Sequence, residues 1–270
     1  NAQTEEWNGS SWTEMNDLST ARGGLSQAGT ATAALAAGGA PVQTTTEEWN
    51  KGEAVGAWAS GNSLNTARSQ LAGSGTSTSS IAAGGLIPPN SPTVNVETWD
   101  GTSWTEVANL NTGRYGLKGA GADSTSAVVF GGFTTPPDTT YNNTETWNGS
   151  SWTEVNNLNT ARFHLASAGA TNTAALAIGG YTVPPVTAAN ESWNGSSWTE
   201  VGDLNSARRL LSANGTTTSA LAYGGWPPNY ANTESWNGST WTEVNDLNTA
   251  RRGLGAAGAD STSALAFGGY

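Results

Sequence analysis

Between Thr144 and Gly180 the chain reads TETWNGSSWTEVNNLNTARFHLASAGATNTAALAIGG. Short strand-forming runs alternate there with turn-formers, and four strands fit into the stretch. TETW and SWTEV are joined through Asn148-Gly149, a pair suited to a type I′ hairpin because both central residues of that turn need positive φ. Trp147 and Trp152, five apart across the turn, are predicted to lie opposite one another on one side of the hairpin. The other two runs, RFHLASAG and AALAIGG, carry mostly small side chains. A sheet with small residues on two strands and tryptophan on the other two is a wedge.

The stretch recurs six times, which turns the wedge into an architecture. A first tryptophan stands at 7, 49, 99, 147, 193 and 236, and a second at 12, 58, 104, 152, 198 and 241. Ten residues after each second tryptophan comes an arginine, followed at +3 by leucine and at +7 by glycine. A Gly-Gly pair closes each unit. Wedges repeated in this way close into a ring whose inner strands crowd the axis and whose outer strands fill the widening gaps between blades. The expected fold is all-β: a six-bladed β-propeller with four-stranded antiparallel blades, residues 1–270 forming one unit. The blades fall at about 19–64, 65–110, 111–158, 159–204, 205–247 and 248–270 plus 1–18. In the last blade the N- and C-terminal strands pair, so that closure removes a free sheet edge.

Composition narrows the function classes. A net charge of −11 with only ten Lys and Arg argues against a nucleic-acid partner, since phosphates call for a basic face. No apolar run reaches the roughly 18 residues of a membrane span. Zero cysteines remove thiolate chemistry and disulfides, and the single histidine, His164, leaves no imidazole cluster for a metal. No cofactor, no metal site and no catalytic residue is expected. Seven Asn-x-Ser/Thr sequons occur, four of which are the repeated Asn-Gly-Ser turn at Asn8, Asn148, Asn194 and Asn237, so turn chemistry accounts for them.

The order of Arg, Leu, a small-residue strand, Gly-Gly, a Glu-x-Trp strand and a second Trp resembles the kelch repeat in all six units, with Trp where kelch repeats commonly carry Tyr. The wording ETWNGSSWTEVNNLNTAR is also similar to repeats in bacteriophage structural proteins.

Loops in a four-stranded meander alternate between two faces, so the linkers between blades and the loops after Gly-Gly share one face. The arginines Arg22, Arg68, Arg114, Arg162, Arg208 and Arg251 start the innermost strands there. They are candidates for an anion-binding ring at the channel mouth; the kelch resemblance implies the same, since arginines at this position line the pocket in some kelch proteins. The competing reading pairs them structurally with Glu5, Glu47, Glu97, Glu145, Glu191 and Glu234, each two residues before a first tryptophan.

Non-repeated positions add a second set. After Gly-Gly the column runs Ala40, Leu86, Phe133, Tyr181, Trp226, Tyr270, and after arginine Gly23, Ser69, Tyr115, Phe163, Arg209, Arg252. Tyr115, Phe163, Phe133, Tyr181 and Trp226 are thus candidate ligand contacts for a sugar or peptide, with ordinary loop packing as the alternative.

The functional expectation is a non-catalytic binding or structural module, extracellular or on a virion: a bacteriophage tail, fibre or capsid-decoration protein whose partner is a surface glycan or another virion protein. The alternatives are a glycan-active enzyme on a propeller scaffold and an intracellular kelch adaptor for an acidic peptide.

Overall fold

The computed structural model describes residues 1–52 and 56–270. Six four-stranded antiparallel sheets stand around one axis. From the inside outwards, blade 1 holds Ser26–Gly29, Ala33–Ala37, Thr46–Asn50 and Ala57–Gly61, and blade 2 holds Ala72–Gly75, Ser80–Ala83, Val96–Trp99 and Trp104–Glu106. Blade 3 holds Lys118–Asp123, Ser126–Phe130, Thr144–Trp147 and Trp152–Val155. Blade 4 holds Ala166–Thr171, Ala174–Tyr181, Val186–Trp193 and Trp198–Val201, and blade 5 holds Ser212–Gly215, Ala220–Tyr223, Thr233–Trp236 and Trp241–Val244. Blade 6 joins the chain ends: Gly255–Asp260 and Ser263–Phe267 inside, Thr4–Trp7 and Trp12–Glu14 outside. Each innermost strand contacts the innermost strands of both neighbouring blades, which closes the ring.

The tryptophan pairing is the one expected from the spacing. Trp147 faces Trp152 in register, and the same pairing holds in every blade, including Trp49 with Trp58 where the turn is longer and lies partly outside the described residues. Ring centroids within each pair are 5.2–5.5 Å apart, in the range favoured by aromatic quadrupoles. Each first tryptophan donates its indole N–H to a carbonyl of the inner hairpin of its own blade, as Trp147 does to Ser124 at 2.9 Å. Most second tryptophans reach the preceding blade: Trp12, Trp58, Trp104 and Trp198 donate to the hydroxyls of Thr233, Thr4, Thr46 and Thr144. The indoles therefore fill the gap between blades and also peg it.

Two local expectations are corrected. The Asn-Gly turns are not type I′: only the glycine has positive φ, +91° at Gly149, while the Asn148 carboxamide accepts the N–H groups of Ser150 and Ser151 at 2.9 Å. A four-residue loop capped by the asparagine side chain takes the place of a two-residue turn. The innermost strand also begins later than its arginine. In blade 4 it starts at Ala166, because His164 takes a positive φ of 53° and interrupts the run.

Gly-Gly has a packing reason. At Gly131, with φ +67°, an added Cβ would stand 2.5 Å from the Arg162 carbonyl oxygen of the next blade. Gly132 donates its N–H to that same oxygen at 2.9 Å. The motif thus lets two blades touch backbone to backbone where the ring is narrowest.

Candidate functional site on the upper face

The upper face carries the inter-blade linkers and the loops after Gly-Gly. The six repeat arginines are anchored beneath it, and this corrects the anion-ring expectation. Arg22, Arg68, Arg114, Arg162, Arg208 and Arg251 are at most 1% exposed. Each pairs with the glutamate of its own blade at 2.6–3.0 Å. In blade 4, Arg162 Nη2 donates to Glu191 Oε1, and Nη1 donates to the carbonyls of Gly179 and Ala189. The second carboxylate oxygen accepts the backbone and side-chain N–H groups of Asn159 in the preceding linker, at 2.7 and 2.9 Å. Asn65, Asn111, Asn205 and Asn248 repeat that contact. Burial holds every one of these guanidiniums below its ordinary value, opposed by the adjacent carboxylate. Their charge is spent inside the blade.

The non-repeated columns meet on the surface. The residue after each arginine bridges to the residue after Gly-Gly in the same blade: Tyr115 with Phe133, Phe163 with Tyr181, Arg209 with Trp226. Aromatic residues of two blades, from Tyr115 to Tyr181, thereby become one array. Phe133 stacks on Phe163 with centroids at 4.7 Å, Tyr115 stands edge-on to Phe133 at 5.6 Å, and Tyr181 lies edge-on to Phe163 at 5.6 Å. The Arg209 guanidinium sits 4.2 Å from the Tyr181 ring centre, and Arg252 sits 4.5 Å from that of Trp226. Arg252 also donates to the Asn229 side chain and exchanges backbone hydrogen bonds with Tyr270. Tyr115, Phe133, Tyr181 and Trp226 keep part of their surface exposed, whereas Phe163 is 7% exposed and serves as the packed centre of the array. Arg209 and Arg252 stood in the residue columns read from the sequence, yet nothing there separated them from the buried arginines that precede each of them.

The axis is closed by a feature the sequence reading missed. The second residues after the arginines, Gly24, Gln70, Gly116, His164, Leu210 and Gly253, form a ring of backbone hydrogen bonds, each N–H donating to the carbonyl of the preceding blade's member at 2.6–2.9 Å. All six have φ between 53° and 64°. Glycine at three of them was the available signal, because that conformation favours a residue without Cβ. The three larger side chains fill the opening, and Gln70 Oε1 meets His164 Nε2 at 2.6 Å. His164 is held down to about 3 by burial, with Arg209 and Lys118 adding to the shift. Above this plug lies a cavity of about 220 Å³ lined by Gly24, Gln70, His164, Leu210, Arg252 and Tyr270. Among the described residues no three His, Asp or Glu side chains gather as a metal site would require.

No protein-family model matches the chain, and no curated protein matches it in sequence. Solved structures do match it in fold, among them the structure of YjhT, with a TM-score of 0.74 and 12% identity over 90% of this chain and 89% of that one. At that identity the likeness carries architecture alone, and it agrees with the blade count and the ring closure: the chain is a six-bladed β-propeller.

Proposed function

We propose that this propeller is a non-catalytic binding module of kelch type, an exposed bacteriophage virion component that holds an anionic host-surface glycan on its upper face. The observation that carries the reading is the placement of charge. Six of the ten Lys and Arg are locked to glutamates inside the blades and Lys51 pairs with Glu6. The remaining three have no carboxylate partner among the described residues: Arg209 and Arg252 lie over the rings of Tyr181 and Trp226 on the upper face, and Lys118 lies on the axis below the plug. An acidic protein that sets two unspent guanidiniums beside exposed aromatic rings is suited to a sugar bearing carboxylate or sulfate, with rings for the apolar sugar face and guanidiniums for the anion.

The upper cavity has no carboxylate among its lining residues, which favours binding over hydrolysis by a pair of acids. The test is an acidic-glycan array followed by calorimetry on the wild type, on Arg209→Ala/Arg252→Ala and on the opposite-face control Asn148→Ala. The double variant is expected to lose binding while the control keeps it, and wild-type binding is expected to weaken as salt shortens the Debye length from about 8 Å at physiological ionic strength. Equal affinity in wild type and double variant overturns the reading. Binding of an acidic peptide in place of any glycan would favour the intracellular adaptor.

A further inference from the structure

Beneath the plug the axis opens again into a cavity of about 30 Å³, lined by the six leucines that follow the arginines and by Lys118. Below it the channel continues between the inner strands as a space of about 80 Å³ walled by Gly, Ala and Ser, with Gln27 and Asn214. None of the residues lining either space is Asp or Glu. Lys118 therefore brings a cation into an apolar chamber with no counter-charge, and its ammonium has no hydrogen-bond partner among the described residues. Blades 2 and 4 carry Ala72 and Ala166 at this position, so the scaffold has no need of the lysine. Lys118 is half-buried, its lining neighbours supply no counter-charge, and a chamber of this size takes two waters or one small ion.

We propose that this axial chamber is a binding site for a small inorganic monoanion of halide size, held by the Lys118 ammonium. The site is separate from the glycan reading: the hydrogen-bonded plug stands between the two, and its ligand reaches it through the small-residue channel. Among the lining residues of the chamber His164 is the one other titratable group, and it is neutral at pH 7. Its position adds no negative charge that could replace the anion. Burial holds Lys118 down to about 8, so the protonated form predominates at neutral pH and is lost above it. Anion affinity is thus expected to be flat below pH 8 and to fall about tenfold per pH unit above it.

The chain has two lysines, Lys51 and Lys118, which makes the experiment direct. In protein labelled with ¹³Cε-lysine, titration with sodium bromide at pH 7 should shift the Lys118 resonance saturably and leave that of Lys51 in place. Lys118→Ala, which copies blades 2 and 4, should fold and melt cooperatively. Crystals soaked in bromide should show anomalous scattering in the wild-type chamber and none in the variant. A Lys118 resonance that does not move, or bromide retained in Lys118→Ala, overturns the proposal. So does an affinity that stays constant from pH 7 to 10.

Discussion

A buried arginine with a carboxylate on one Nη and carbonyls on the other has little in common with one that waits for a ligand. Replacing Arg162 with alanine would leave Glu191 charged, buried and without its partner, and loss of one member of such a pair costs about 3–5 kcal/mol. Chemical denaturation should show that loss, while glycan affinity of the folded fraction stays at the wild-type level; reduced affinity with unchanged stability would return the arginine to the binding face. His164 gives a second residue-scale prediction, with a sign. Its ordinary value is 6.5 and its folded value about 3, so the unfolded chain takes up the proton first and stability falls as pH drops from 6.5 towards 3. The slope from this group is at most about 1.4 kcal/mol per pH unit. His164→Gly, which copies Gly116 and Gly253, should lose less stability between pH 7 and 4 than the wild type. Parallel losses in the two proteins would show that the imidazole charges in place without penalty.

Strands become blades here through indole pegs, and the exceptions show how they work. Trp152 meets Val96 at the position where other blades offer threonine, and its N–H goes to the Ala108 carbonyl instead, at 3.1 Å. Trp241 meets Asn190, whose carboxamide is already committed to Gly179 and Gly202, and the Trp241 N–H is left buried without an acceptor. Asn190→Thr should supply the hydroxyl. Asp203 stands where Asp17, Asn157 and Asp246 accept the threonine backbone N–H in other blades, so the lost carboxamide contact has a replacement. The expected gain is about 1 kcal/mol, the usual net worth of a hydrogen bond, measured as a higher denaturation midpoint. Trp152→Ala should cost about 3–5 kcal/mol because it empties an inter-blade space at 8% exposure; a loss under about 1 kcal/mol would mean that the gap can collapse.

The whole ring depends on blade 6, whose outer half is the N-terminal hairpin. Thr4–Trp7 pairs in register with Ser263–Phe267, and Arg251 finds its carboxylate on Glu5 and a carbonyl on Gln3. Deleting residues 1–18 would therefore expose a strand edge and orphan a buried guanidinium at once. The truncated chain is expected to associate in sedimentation or light scattering and to melt earlier. A monomer with unchanged melting would mean that the other blades hold the ring shut without it.

Blade number, strand order, the tryptophan register and closure by the two ends were all legible in the sequence, because each follows from local periodicity repeated six times and from the wedge shape that such repeats impose. The two aromatic columns were legible as lists of exceptions. What they do was decided only by tertiary structure, which bridges Tyr115 to Phe133 and Phe163 to Tyr181 and places Arg209 and Arg252 on neighbouring rings. The roles of consecutive arginines such as Arg208 and Arg209 could not be told apart in one dimension. One points down to Glu234 inside the blade, and the next lies over Tyr181 on the surface. The axial plug and the Lys118 chamber are also products of assembly, since their hydrogen bonds and walls come from six blades at once, and no single repeat contains them.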